Sequence, residues 1–230
     1  MNLLALDTST DACTVALRVD DQLYIDHRVA AQQHGTLLLP MLDTLMKKAD
    51  LNARQLDALV YGRGPGSFTG VRIGVACAQG IALGADIGVV GVSTLNSIAQ
   101  GVYRLHGDTS VAVSMDARMD EVYFCEYHLD DNGLMQAAGE EQIGAPNTVM
   151  KSDSACWAGS GAERYQRYLV DNECVCAEHI HKGGLPQAVD LLELGAVSVL
   201  QGQLQAPESA SPVYLRNKVA LTTAERTASF

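Results

Sequence analysis

One pattern in this chain restricts its fold more than any other: a strand ending in Asp, a short polar turn, a second strand and a two-Asp turn, occurring twice. LLALDTSTDACTVALRVDDQ opens the chain, and VAVSMDARMDEVYFCEYHLDDNG repeats the order from residue 111. Asp116 falls where Asp7 does, and Asp120 where Asp11 does. Alternating apolar residues on both sides of an Asp-rich turn predict a hairpin. Two such hairpins, each followed by helical spacing, predict two similar α/β lobes packed together. The expected division is 1–106 for the first lobe and 107–204 for a smaller second one. Residues 205–221 are expected to return to the first lobe, and 222–230 to form a frayed tail.

Between the hairpins, residues 22–29 read as a third strand and 36–49 as a helix, with Pro40 expected in its first turn. Strands are expected at 56–61 and 87–92, and helices at 67–83, 94–104 and 186–204. CWAGSGAERY reads as strand, turn and helix start. Hydrophobic residues make up 47% of the 230, enough for a sizeable core, and 19% charge is too little for a disordered chain. No run of about 18 apolar residues stands out, and the opening residues lack a basic leader, so a cytosolic chain without a membrane segment or signal peptide is expected. The six cysteines (Cys13, Cys77, Cys125, Cys156, Cys174, Cys176) form no CxxC pair, which suits reduced, mostly buried thiols. A net charge of −11 with 16 scattered Lys and Arg disfavours direct nucleic-acid binding, because a stand-alone binder needs a phosphate-neutralising basic surface.

The most distinctive stretch is GRGPGSFTGVRIG, residues 62–74, at a strand-to-helix turn. It matches neither GxxxxGK[ST] nor GxGxxG, and no lysine is present to meet a phosphate. It is either a tight connection or, with Ser67 or Thr69 capping the helix, an anion site. In the helix that follows, Gly70, Gly74, Ala78 and Ala82 recur every four residues and form a ridge of small side chains. The helix before it carries Leu37, Leu38, Leu39, Met41, Leu42, Leu45 and Met46, more apolar circumference than one buried stripe needs. Together they predict a partner surface built on Leu38, Met41, Leu42, Leu45, Gly70, Gly74 and Ala78.

Candidate chemistry is sparse. None of the six histidines pairs at i,i+3 or i,i+4; His179 and His181 share a strand face but have no evident carboxylate beside them. Asp7, Asp11, Asp116 and Glu121 are the acid candidates. Asp7 and Asp116 are expected to face the interlobe cleft, either holding Mg²⁺ through water beside a nucleotide phosphate or capping their turns. Arg118 would pair with either, and Ser67 completes the candidate nucleotide or anion cleft. Neither a catalytic group nor a metal site is assigned.

Several motifs in fixed order resemble the TsaB (YeaZ) family: ALDTST, YGRGPGSFTGVRIG, AQGIALG, GVSTL, MDARMDEVY and PVYLR. The likeness is strongest over residues 7–123 and covers residues 135–207 mainly in layout. It implies the actin/Hsp70/sugar-kinase (ASKHA) fold of two ribonuclease-H-like lobes. It also implies a non-catalytic scaffold or activator for threonylcarbamoyl transfer to the adenosine beside the tRNA anticodon. The partners implied are TsaD, the transferase, and TsaE, an ATPase, with tRNA met only indirectly. A homodimer of the free chain would use the same helices. No firmly bound cofactor is implied, and a nucleotide at the junction of the complex is a candidate only. TsaD carries an HxxxH metal motif where this chain reads GVSTLNSI, so Thr94 and Ile98 stand in place of the two histidines. The rival readings are a glycoprotease-like metallopeptidase and an ATP-dependent phosphotransferase of the same superfold.

Overall fold

A computed structural model describes residues 1–216; the expected tail and the end of the returning segment lie outside them. The opening hairpin forms as read, β1 (Leu3–Asp7) against β2 (Ala12–Val19), with β3 (Gln22–Val29) on its outer side. Helix α1 (His34–Lys48) leads to β4 (Ala58–Gly62), then α2 (Phe68–Ala85), β5 (Gly88–Val92) and α3 (Thr94–His106). β4 and β5 add to β1 in parallel, giving the sheet order β3-β2-β1-β4-β5.

The second unit repeats that order with different materials. β6 (Ser110–Arg118) pairs antiparallel with β7 (Glu121–Leu129), whose other edge carries β8 (Met135–Ala137) and β9 (Gln142–Gly144). After α4 (Pro146–Val149), β10 (Cys156–Ala158) joins β6 in parallel; α5 (Ser160–Arg164) and α6 (Gln166–Asp171) then lead to β11 (Ile180–His181). The path β8-β7-β6-β10-β11 is the first sheet's order again. α7 (Ala188–Leu200) follows.

The two sheets trade helices. α1 and α2 cover one face of the first sheet, where Leu38, Met41, Leu42, Val71 and Val75 pack on Leu4, Leu6, Val15 and Leu59. Its other face is covered by α7, through Ala188, Leu191, Leu192 and Ala196. α3 sends Leu95, Ile98, Ala99 and Val102 onto the second sheet instead. Thus α3 lies within residues 1–106 but covers the second sheet, and α7 lies within 107–204 but covers the first. These two helices meet between the sheets, joined by Arg104 Nε and Nη2 donating to the Asp190 carboxylate at 2.7 and 3.0 Å. Asp190 is fully buried; burial pushes its pKa up and the Arg104 guanidinium opposes that. Residues 205–214 run beside the first sheet, with Val89 N donating to Gln205 O and Val213 N to Arg63 O.

Two local expectations change. α1 begins at His34, so Pro40 sits inside the helix rather than in its first turn. It is tolerated because Pro40 and Thr36, whose carbonyl loses a helical donor, both face water. α2 is, by length and composition, apolar enough to cross a membrane (18 residues, mean hydropathy 1.3), although no such segment was expected. Its Gly70, Val71, Gly74, Val75 and Ala78 are buried on the first sheet, the position of a core helix.

Candidate functional site

The turn after β1 is buried in its first half, while Thr10 and Asp11 reach solvent. Asp7, Thr8 and Ser9 are all buried, Asp7 completely. Ser9 donates to Asp7 Oδ1 from both its amide and its hydroxyl, each at 2.6 Å. Thr94, the first residue of α3, donates from Oγ1 to Asp7 Oδ2 at 3.0 Å, and its hydroxyl lies 2.9 Å from that of Ser9. Thr8 Oγ1 donates to Gly70 O at 2.7 Å, and Ser67 N donates to Ser9 O at 2.7 Å.

The glycine turn explains how this fits. A Cβ on Gly70 would collide with the carbonyl oxygen of Thr8, and one on Gly62 with the Asp7 carboxylate. Gly66 meets Ser9 in the same way, and a Cβ on Gly74 would lie 2.7 Å from Thr8 Oγ1. Four glycines therefore let β4 and α2 close over three residues of the β1–β2 turn. GRGPGSFTGVRIG is built as a tight connection, and its Ser67 also lines the interlobe cleft. Ser67 is the helix cap, its Oγ accepting from Gly70 N at 3.4 Å. Desolvation raises the Asp7 pKa, against the hydrogen bonds from Ser9 and Thr94.

The corresponding turn in the second lobe is open. Asp116 lines an interlobe cleft of about 1270 Å³, together with Thr10, Asp11, Ser67, Arg72 and Arg118. Arg118, Met119 and Asp120 carry φ of 63°, 55° and 56°, a left-handed run that swings the turn outward past a bulge in β6. Asp116 accepts two bonds of 2.9 Å from Arg164 Nη1 and takes the Arg118 amide at 3.0 Å. Arg118's own guanidinium is mostly exposed and stands 3.5 Å away. Arg216 spans the cleft's edge, donating to the Ala117 carbonyl at 3.0 Å and pairing with Glu121 at 2.7 Å. Beside it, the Arg72 guanidinium lies 3.5 Å from the centre of the Phe68 ring, and Arg72 Nε donates to Tyr214 Oη.

Ser67, Asp116 and Arg118 are thus brought to one cleft, and Asp7 is not; the expectation that both aspartates face it is corrected by the glycine seal over the first. Both Asp7 carboxylate oxygens accept from protein donors, as those of a turn-capping aspartate do. Arg164 and Arg216 were not singled out from sequence. Arg164 ends the second strand–glycine–helix unit, CWAGSGAER, whose Gly159 and Gly161 abut Ser114 of β6 as Gly62 abuts Asp7 of β1. Carrying the repeat past its hairpins would have found it.

The proposed partner surface also needs correction. Leu38, Met41, Leu42, Leu45, Gly70, Gly74 and Ala78 all face inward, into the first lobe's core or the sealed turn. The helices present a different face to solvent. On α1 it holds Leu39, 59% exposed, and Pro40; on α2 it holds Ala76, Gly80 and Gly84, with Leu83 at 49% and Ile73 partly buried. α2 therefore has two small-residue ridges, and 76/80/84 is the outward one. Thr94 and Ile98 are both buried: Thr94 bonds Asp7, and Ile98 packs in the second sheet's core.

Two sheets of identical strand order, each covered by helices and joined through α3 and α7, define a duplicated, two-lobed α/β protein. A family model described as TsaD, tRNA N6-adenosine threonylcarbamoyltransferase, matches residues 27–222. The tRNA threonylcarbamoyladenosine biosynthesis protein TsaB of Escherichia coli K12 is 40% identical over 225 residues, covering 96% of each chain. The Haemophilus influenzae protein of the same name is 38% identical, covering 95% of each. A solved structure titled YeaZ from Pseudomonas aeruginosa superposes with a TM-score of 0.84 at 39% identity, over 93% of this chain and 99% of that one. A second, described as an uncharacterized protein with similarity to peptidase YEAZ from the same organism, gives 0.85 at 39%, over 94% and 99%. The chain belongs to the TsaB family.

Proposed function

We propose that this chain is a cytosolic, non-catalytic subunit that supports threonylcarbamoyl transfer to the adenosine beside the tRNA anticodon by docking on TsaD, with TsaE joining the pair. The names of its relatives supply the pathway. The observation that carries the subunit role is the sealed Asp7–Ser9 turn: the first lobe's best-placed carboxylate is spent on internal hydrogen bonds. A reaction centre needs a group that can reach substrate, whereas the exposed apolar ridge of α1 and α2 is surface available for a partner. The same ridge would hold a homodimer of the free chain, so the homodimer and the TsaD complex compete. The open cleft bearing Ser67, Asp116 and Arg118 is where a nucleotide at the junction of the complex would sit. With a net charge of −11, tRNA is met through the partner.

The test is association with purified TsaD by light scattering, for wild type, Ala76→Glu and Leu39→Asp. Both substitutions change exposed positions, so the variants fold as wild type does by circular dichroism. Loss of the TsaD complex and of the homodimer in both variants is the expected result. Wild-type binding in both would refute the docking face.

A further inference from the structure

The sequence offered no evident carboxylate partner for the His179/His181 pair, but the fold supplies one to His181. Asp108 follows the Gly107 cap of α3, and its Oδ2 lies 2.7 Å from His181 Nε2. Cys156, the first residue of β10, brings a third donor, and the ligand atoms of Asp108, Cys156 and His181 all lie within 4.8 Å of one another. The imidazole is held in place: His106, at the end of α3, stacks on His181 with ring centroids 4.0 Å apart and planes 16° from parallel. We propose that Asp108, Cys156 and His181 form a divalent zinc site that ties the end of α3 to β10 and β11.

The donor set selects the ion. One thiolate, one imidazole and one carboxylate suit borderline-soft Zn²⁺, whereas Mg²⁺ and Ca²⁺ want oxygen ligands. A thiolate and a carboxylate carry two negative charges, which a divalent ion neutralises. Zinc bonds of about 2.0–2.3 Å in a tetrahedron place ligand atoms roughly 3.3–3.7 Å apart. Asp108 Oδ2 and His181 Nε2, 2.7 Å apart, would separate slightly to admit the ion. Cys156 is buried, while Asp108 and His181 are partly exposed, so an ion has a path in and water can take the fourth position.

A nucleophilic reading of the same triad is weaker. Burial, with the Asp108 charge, pushes the Cys156 thiol up to about 12, which leaves it protonated and inert without a cation beside it. The place also favours a structural role. β10 and β11 are three and two residues long, paired only through Trp157–Ile180 and Ala158–His181. Three ligands from separate segments would clamp this edge.

The experiment is a Co²⁺ titration of the full chain, stripped by chelator under reducing conditions. The expected result is one Co²⁺ per chain, with a thiolate-to-cobalt charge-transfer band and strong tetrahedral d–d bands, both displaced by Zn²⁺. Cys156→Ser should lose the charge-transfer band; His181→Gln and Asp108→Asn should weaken binding by roughly tenfold or more. A Cys174→Ser/Cys176→Ser double variant should bind as wild type does. His181→Gln and Asp108→Asn alter partly exposed groups, so they decide the matter if Cys156→Ser misfolds, with circular dichroism as the check. The site is refuted if no charge-transfer band appears, if the band survives Cys156→Ser, or if the Cys174/Cys176 variant loses it. Wild-type Co²⁺ affinity in His181→Gln and Asp108→Asn would refute it equally.

Discussion

Two turns made from the same sequence unit end in opposite states. In the first lobe, four glycines close over Asp7, Thr8 and Ser9, and both Asp7 oxygens are bonded internally. In the second, Asp116 lies in a solvent cleft and holds an arginine. The strands beneath them pair alike, Asp7 opposite Thr14 and Asp116 opposite Val122. The difference comes from what covers them. α2 is 18 residues long and presses its small ridge on the turn, whereas its counterpart α5 has five residues. Duplicated strands fix where an aspartate stands, and the covering helix decides whether it meets solvent or protein.

The seal should break most severely at its closest approach. Gly70→Ala places a methyl against the Thr8 carbonyl, which only a backbone shift can relieve, and should cost about 2–4 kcal/mol in urea unfolding. Gly80→Ala, on the outward ridge with no atom near its Cβ, should instead stabilise by about 0.5–1 kcal/mol. Equal losses in the two would mean that α2 does not press on the turn. Thr94→Val removes one donor from a buried carboxylate and should cost about 1.5–3 kcal/mol. Arg164→Gln at the open turn removes a half-exposed ion pair and should cost less than about 1 kcal/mol. If Arg164→Gln proves the costlier of the two, the second turn is not the open one.

The pH dependence gives the smallest and sharpest contrast. Because burial raises the Asp7 pKa in the folded chain, the fold favours its protonated form. Asp7's contribution to stability is therefore full below the ordinary value of 3.8 and is lost as pH rises through the raised one. Asp7→Asn keeps an acceptor for Ser9 and removes this titration, so its stability relative to wild type should grow with pH. A gap constant from acid to neutral pH would show that Asp7 is not desolvated.

Much of the fold was legible because strand alternation and the Asp turn both recur, and their order alone implied paired lobes. The helix faces were less legible. In α1, Leu37, Leu38, Leu39, Met41, Leu42, Leu45 and Met46 surround most of the helix, so periodicity does not say which side meets the sheet. In α2, small residues recur every four positions on two faces, and the sequence does not distinguish the inward ridge from the outward one. The glycines of residues 62–74 were legible as a close-approach turn, but what they approach lies some 60 residues earlier in the chain. The Asp108–Cys156–His181 cluster had no local signal, since its members join only when the second sheet forms.

As proposed above, the chain contributes surface rather than chemistry to threonylcarbamoyl transfer. The most direct test is tRNA modification reconstituted with TsaD and TsaE, comparing wild type with Asp7→Asn and Ala76→Glu. Wild-type modification is expected with Asp7→Asn, and loss of both modification and TsaD binding with Ala76→Glu. An Asp7→Asn chain that folds and binds TsaD but supports no modification would contradict the proposal.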